Sequence, residues 1–101
     1  MSSTGSSRTA RLLGLIVAGI GLAHFIDPRS FMVMTRVAFP RNTQTYVYVN
    51  GGLETAIGLL LSRAHTRGAG VVALIAYGVY LVGNAARALG RRARLVARRP
   101  A

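Results

Sequence analysis

Inside the apolar stretches of this chain, the side chains with chemistry to offer are His24, Asn50, Glu54, Tyr77, Tyr80 and Asn84. Glu54 stands near the middle of the run 45–62 and is one of two acids in a chain with thirteen arginines. A carboxylate left unsolvated in hydrocarbon costs at least ~2.5 kcal/mol, so an acid at such a place faces a protein interior, takes a partner or holds a proton. Two readings follow. Glu54 either carries its proton permanently and donates one hydrogen bond to Asn50, Asn84 or a backbone carbonyl, or it exchanges protons, with His24, at a ligand or headgroup site. Asn50 and Asn84 can bridge helices, each contributing roughly 0.6–2 kcal/mol. His24 suits an interfacial hydrogen bond or cap. One His and one Glu in the apolar stretches, with no Cys in the chain, fall short of a transition-metal donor set, so no metal is expected. No residue is assigned a catalytic role.

These residues need elements to hold them, and composition says which kind. The chain has 101 residues, 51% of them hydrophobic, and a net charge of +11, together with a positive mean hydropathy. High charge and high hydropathy coexist when the charges lie outside the apolar segments. No Arg falls in 12–26, 45–62 or 68–86. Without Cys there is neither a disulfide framework nor thiolate or iron–sulfur chemistry within the chain. That every basic residue is Arg rather than Lys reflects coding bias and carries no functional inference.

The fold expected is an all-α integral membrane domain over 1–101, with three transmembrane helices at about 9–26, 45–62 and 68–86. Each span has 18 or 19 residues, close to the ~20 that cross a hydrocarbon core. Arg11 within the first can snorkel to the headgroups. The first segment also reads as a signal peptide, with a basic start, a short apolar region and the small residues Gly21 and Ala23 before a cleavage point. Residues 1–8 form a mobile N-terminus. Between the first two spans, SFMVMTRVAF is apolar but too short to cross and is bracketed by Pro28 and Pro40, which makes it interfacial or re-entrant. The turn 63–67 forces an antiparallel hairpin. Tyr46, Tyr48 and Tyr80 fit an interfacial aromatic belt.

The tail 87–101 carries Arg87, Arg91, Arg92, Arg94, Arg98 and Arg99. Such a cluster directly after a membrane helix contacts anionic lipid headgroups, at roughly 1 kcal/mol per residue. No aromatic interleaves it as base stacking requires, so nucleic acid is not expected as a partner. Counted across three spans, nine arginines lie on the side of the tail and four on the other. The Arg-rich C-terminus is therefore expected in the cytoplasm and the N-terminus outside.

In an up-down-up arrangement His24, Asn50 and Asn84 fall at the same membrane face. Asn50, Glu54 and Gly58 make one helix stripe, and Tyr77, Tyr80 and Asn84 another. Facing each other, the stripes enclose a polar pocket that includes His24 and opens toward the Arg-rich side. Small residues mark the packing surfaces: Gly14 and Ala18 on the first helix, Gly51, Gly52 and Gly58 on the second, with Ala69 and Ala73 on the third.

The ordered signals GLAHFIDP (21–28), YVNGGLETAIGLLL (48–61), HTRGAG (65–70) and Asn84 resemble the small membrane proteins of the DoxX family over about 14–87. By that resemblance His24, Gly51, Glu54 and Asn84 occupy the family's recurrent polar and glycine positions. The family takes its name from a subunit associated with quinone-linked thiosulfate oxidation, and some members associate with other redox or stress proteins. Its members usually have four helices with both ends cytoplasmic, whereas three are read here and the charge count puts the N-terminus outside. A missing fourth helix favours self-association or docking onto a larger membrane assembly. The function expected is that of a non-catalytic accessory subunit of a respiratory or redox complex in a bacterial inner membrane. It carries no intrinsic cofactor, and quinone enters only through a partner. The alternative is a quinone- or lipid-headgroup-binding redox module in which Glu54 and His24 handle protons.

Overall fold

A computed structural model describes residues 3–100, and the chain there is helical almost throughout. Four α-helices follow one another: α1 (Ser3–Ile26), α2 (Arg29–Ala38), α3 (Thr43–Ser62) and α4 (Arg67–Ala97), with a single 3₁₀ turn at Ala64–Thr66 before the last. Of the terminus expected to be mobile, residues 1 and 2 lie outside the described residues, and from Ser3 onward the chain is already helical.

The breaks fall where the backbone dictates them. α1 stops at Ile26 because Pro28 disfavours helical geometry in the residue before it, and Asp27 N–H closes the last turn on Ala23 O at 2.8 Å. The Asp27 carboxylate accepts the Ser30 hydroxyl, which places a negative charge at the start of α2, where the helix dipole favours it. α2 is the segment expected at the interface. Its ten residues include no buried one and span about 15 Å, half the thickness of a hydrocarbon core. Asn42 then takes the left-handed conformation (φ 55°) immediately before α3, a geometry that Asn tolerates better than most residues. At the far end of α3, Thr66 Oγ1 donates to Leu60 O at 2.8 Å and Arg67 Nε to Leu61 O at 2.9 Å. The short turn thus supplies donors to carbonyls that the helix end leaves unpaired.

α3 lies in the middle. It packs along α1 on one side and α4 on the other, with α2 laid against α3 and α4 at one end. The molecule measures 65 × 29 × 17 Å, so its thinnest dimension is little more than one helix of about 10–12 Å. The three long helices form a layer, and the polar stripes of α3 and α4 meet along one of its seams.

The α1–α3 contact is close because four glycines permit it. A Cβ on Gly14 would come within 2.7 Å of Ser62 N, one on Gly51 within 2.5 Å of His24 Cβ, and those on Gly21 and Gly58 would strike Thr55 and Ala18. Ala18 is buried between them, as are Val47 and Ile57. Gly52 differs from its expected packing role: a Cβ there meets nothing closer than Phe25 Cζ at 3.9 Å. On α4 the residue at the close contact is Gly70, against Leu61, one position from the expected Ala69.

Two helical segments, Ser6–Ile26 and Ala64–Ala97, are long and apolar enough to cross a membrane. α3 does not reach that threshold, because Asn50, Glu54, Gln44 and its threonines and glycines offset its leucines and valines. α4 runs 31 residues, about 46 Å at 1.5 Å per residue. It exceeds the expected span 68–86, and the arginine tail continues as helix to Ala97.

Candidate functional site

At the end of the layer that carries α2, three helices contribute polar groups to one place. The last turn of α1 brings His24, which is 5% exposed. Its Nδ1 lies 2.8 Å from Ile20 O, one turn earlier, and its ring stacks on Phe31 of α2 with centroids 3.8 Å apart. α3 brings Asn50 and, one turn further, Glu54. α4 brings Tyr77, whose hydroxyl donates to Glu54 Oε2 at 2.7 Å, and Tyr80, whose hydroxyl donates to Asn50 Oδ1 at 3.0 Å. The imidazole closes the cluster, with Nε2 3.5 Å from Glu54 Oε2.

A backbone carbonyl only accepts, so the Nδ1 that faces Ile20 O carries a hydrogen. That leaves Nε2 turned toward Glu54 Oε2, the same oxygen that accepts the Tyr77 hydroxyl.

Asn84, expected in this cluster, does not join it. Its Nδ2 donates to Tyr80 O at 2.7 Å on its own helix, because a residue four positions on from a carbonyl can fold its amide back onto it. Tyr77 takes the place expected for Asn84. The sequence signal for it was its membership of the same α4 stripe. Phe31 carried none, since its stack on His24 depends on how α2 folds back across the end of the layer.

The cluster floors a hollow of about 390 Å³ to which all four helices contribute, walled by Ile20, Phe31, Met34, Leu81, Val82 and Ala85. A second hollow of about 360 Å³ is lined by Arg41, Tyr46, Asn84, Arg87, Arg91, Arg92 and Leu95. Ala38 and Phe39 border both. Of the six tail arginines, Arg94, Arg98 and Arg99 lie outside this lining, while Arg41, from the α2–α3 junction, belongs to it. The opposite end of the layer is also basic, where Arg8, Arg11, Arg63, Arg67 and His65 surround a wider hollow. No group of three or more metal-ligating side chains occurs among the described residues.

Tyr77→Phe removes one donor to Glu54 and keeps the ring. It is expected to lower stability by about 1 kcal/mol, the net worth of one such hydrogen bond, as read by unfolding in mixed detergent micelles. No loss would mean that Glu54 does not depend on this hydroxyl.

Residues 13–101 match the model of a family described as a domain of unknown function, DUF8561. No curated protein and no solved structure matches the chain.

Proposed function

We propose that this chain, which belongs to the DUF8561 family, is a three-span protein of a bacterial cytoplasmic membrane and serves as a non-catalytic accessory subunit of a larger membrane assembly. Two helical segments have the length and apolarity to cross a membrane. α3 lies between α1 and α4 and runs antiparallel to both, joined to α1 through α2 and to α4 through a short turn, so a membrane crossed by its neighbours is crossed by α3 as well. Its polar side chains are tolerated there because they bond to α1 and α4. The arginines at both ends and the exposed Leu12, Ile16, Val72, Ile75 and Val79 between them fit headgroups flanking hydrocarbon. The resemblance to DoxX proteins and the nine-to-four arginine count support the same reading, with the tail in the cytoplasm.

The observation that carries the accessory role is the layer itself. At 17 Å thick, the layer flanks α3 with α1 and α4 and covers it with α2 at one end only, so that Tyr48, Val49, Leu53 and Leu59 of α3 stay exposed. A partner helix, or a second copy, completes the packing. Mild-detergent purification followed by mass spectrometry tests this: the protein is expected to elute in stoichiometric company with other membrane subunits or with itself. Elution as a stable monomer with no other protein bound would overturn it.

A second reading is favoured by one specific observation, the approach of His24 Nε2 to within 3.5 Å of Glu54 Oε2 at the floor of an open hollow. In that reading the site binds a quinone or a lipid headgroup and exchanges a proton with it, while a partner supplies electrons. Quinone retained by the isolated protein would select it.

Insertion and orientation have their own tests. Carbonate extraction is expected to leave the full-length chain in the membrane, whereas a mature form starting near His24 would make α1 a cleaved signal. A cysteine at Arg98 is expected to resist impermeant thiol reagents in intact cells, and one at Ser3 to react. The reverse pattern would place the tail outside.

A further inference from the structure

We infer that the two adjoining hollows form one binding furrow for a single anionic phospholipid, with its phosphate at Arg41, Arg87, Arg91 and Arg92 and an acyl chain lying along α4 toward the His24–Glu54 pair. This rests on the membrane reading above and goes beyond it, since it assigns an occupant to a particular place rather than a general attraction to a basic tail.

Three features converge on it. The hollows share a border at Ala38 and Phe39. Along α4, Leu81, Ala85, Ala88 and Arg92 follow at spacings of four, three and four, so they occupy one helix face and connect the apolar hollow to the basic one over a rise of about 16 Å. The chemistry changes along that path: Leu81, Val82 and Ala85 wall the deep part, and arginines line the outer part. Such a gradient matches an amphiphile with an anionic head, not a free anion and not an apolar solute.

The charge is also unspent. Neither acid of the chain lines the basic hollow, and among the described residues none of its four arginines is ion-paired; the recorded acid–base contact is that of His24 with Glu54. Guanidinium groups favour phosphate through paired donors in a planar fork. Arg41 arrives from a different element than the α4 arginines, so their convergence is a property of the tertiary structure and not of the tail's composition. The depth is consistent as well. α4 is longer than a hydrocarbon core is thick, which carries Arg87, Arg91 and Arg92 to the level of the headgroups when 68–86 spans.

The test uses the full-length protein in a neutral detergent, titrated with phosphatidylglycerol and, separately, phosphatidylcholine, with bound lipid counted by native mass spectrometry. Phosphatidylglycerol is expected to bind one per chain. The double variant Arg41→Ala/Arg91→Ala should weaken it about tenfold or more, while the charge-matched Arg94→Ala/Arg98→Ala should change it by less than about twofold. Ala85→Trp, which obstructs the acyl path, should weaken lipid binding without altering the secondary structure seen by circular dichroism. If it fails to fold, the paired arginine variants decide alone. Equal losses in the two double variants would reduce the effect to diffuse attraction and overturn the site. Displacement of the lipid by equimolar inorganic phosphate or glycerol phosphate would show a bare phosphate site and overturn the acyl-chain assignment. Release of the protein by carbonate would remove the membrane reading itself, whereas retention in the membrane with no selective lipid binding would refute only the furrow.

Discussion

Gly58→Ala is expected to destabilise the protein by about 1–3 kcal/mol, the cost of overpacking a close contact, and Gly58→Val by more, while Gly52→Ala leaves stability unchanged or raised. The difference lies in what the new carbon meets. At Gly58 it strikes the backbone of Gly14 and Ala18 on α1, atoms that cannot turn aside, so the two helices must separate along their whole seam. At Gly52 it meets only the far end of the Phe25 side chain at 3.9 Å, and the helix gains from exchanging a Gly for an Ala. The measurement is unfolding of the purified variants in mixed micelles, with membrane yield recorded in parallel. Equal behaviour of the two alanine variants would show that α1 and α3 do not approach as closely as described. Separation of that seam also displaces His24, because Gly51 packs directly on its Cβ; Gly58 variants should therefore loosen the polar cluster at a distance.

Glu54→Leu is expected to lose about 2 kcal/mol or more, since it leaves the Tyr77 hydroxyl and His24 Nε2 without their partner in an apolar setting. Glu54→Gln should stay near wild type. An amide nitrogen where Oε2 stands has two hydrogens, one for the Tyr77 hydroxyl oxygen and one for a neutral His24 Nε2 whose Nδ1 remains bonded to Ile20 O. The cluster then holds together around a side chain that cannot titrate. This substitution therefore separates structure from chemistry. In the accessory-subunit reading, Glu54→Gln assembles with its partner and supports normal activity of the complex at all pH values where the complex is intact. In the proton-handling reading it assembles normally and the complex is inactive. Activity is measured on the assembled complex across pH with protein abundance checked alongside, and a well-assembled, inactive complex would replace the first reading by the second. A Leu variant as stable as wild type would show that the hydrogen bonds at Glu54 contribute nothing to the fold.

Much of the architecture was legible because it is local. Pro28 and Pro40 end helices through steric effects on their immediate neighbours, the turn at 63–67 is too short for anything but a hairpin, and charge-free runs mark the long helices. The same local reasoning brought His24, Asn50 and Glu54 to one end of the layer, since depth along antiparallel helices follows from counting residues. It could not set rotation. Successive residues on a helix differ by about 100°, so of the adjacent Gly51 and Gly52 only one faces α1. That choice depends on the opposing surface, as does the exchange of Asn84 for Tyr77 as the α4 partner of Glu54.

By itself, then, the sequence determined an all-helical chain, the order of its long helices and the breaks between them, its apolar middle and basic ends, and the level at which its polar residues lie, all of which follow from backbone sterics, hydropathy and rise per residue. Only the tertiary structure decided that the long helices form a layer with α3 at its centre, that four glycines draw α1 onto α3, that α4 extends as helix through its arginines, and that Arg41 meets Arg87, Arg91 and Arg92 beside an apolar furrow. These depend on contacts between residues far apart in the chain, and the free energy of such contacts is set by the shapes of both surfaces, which no single segment encodes alone.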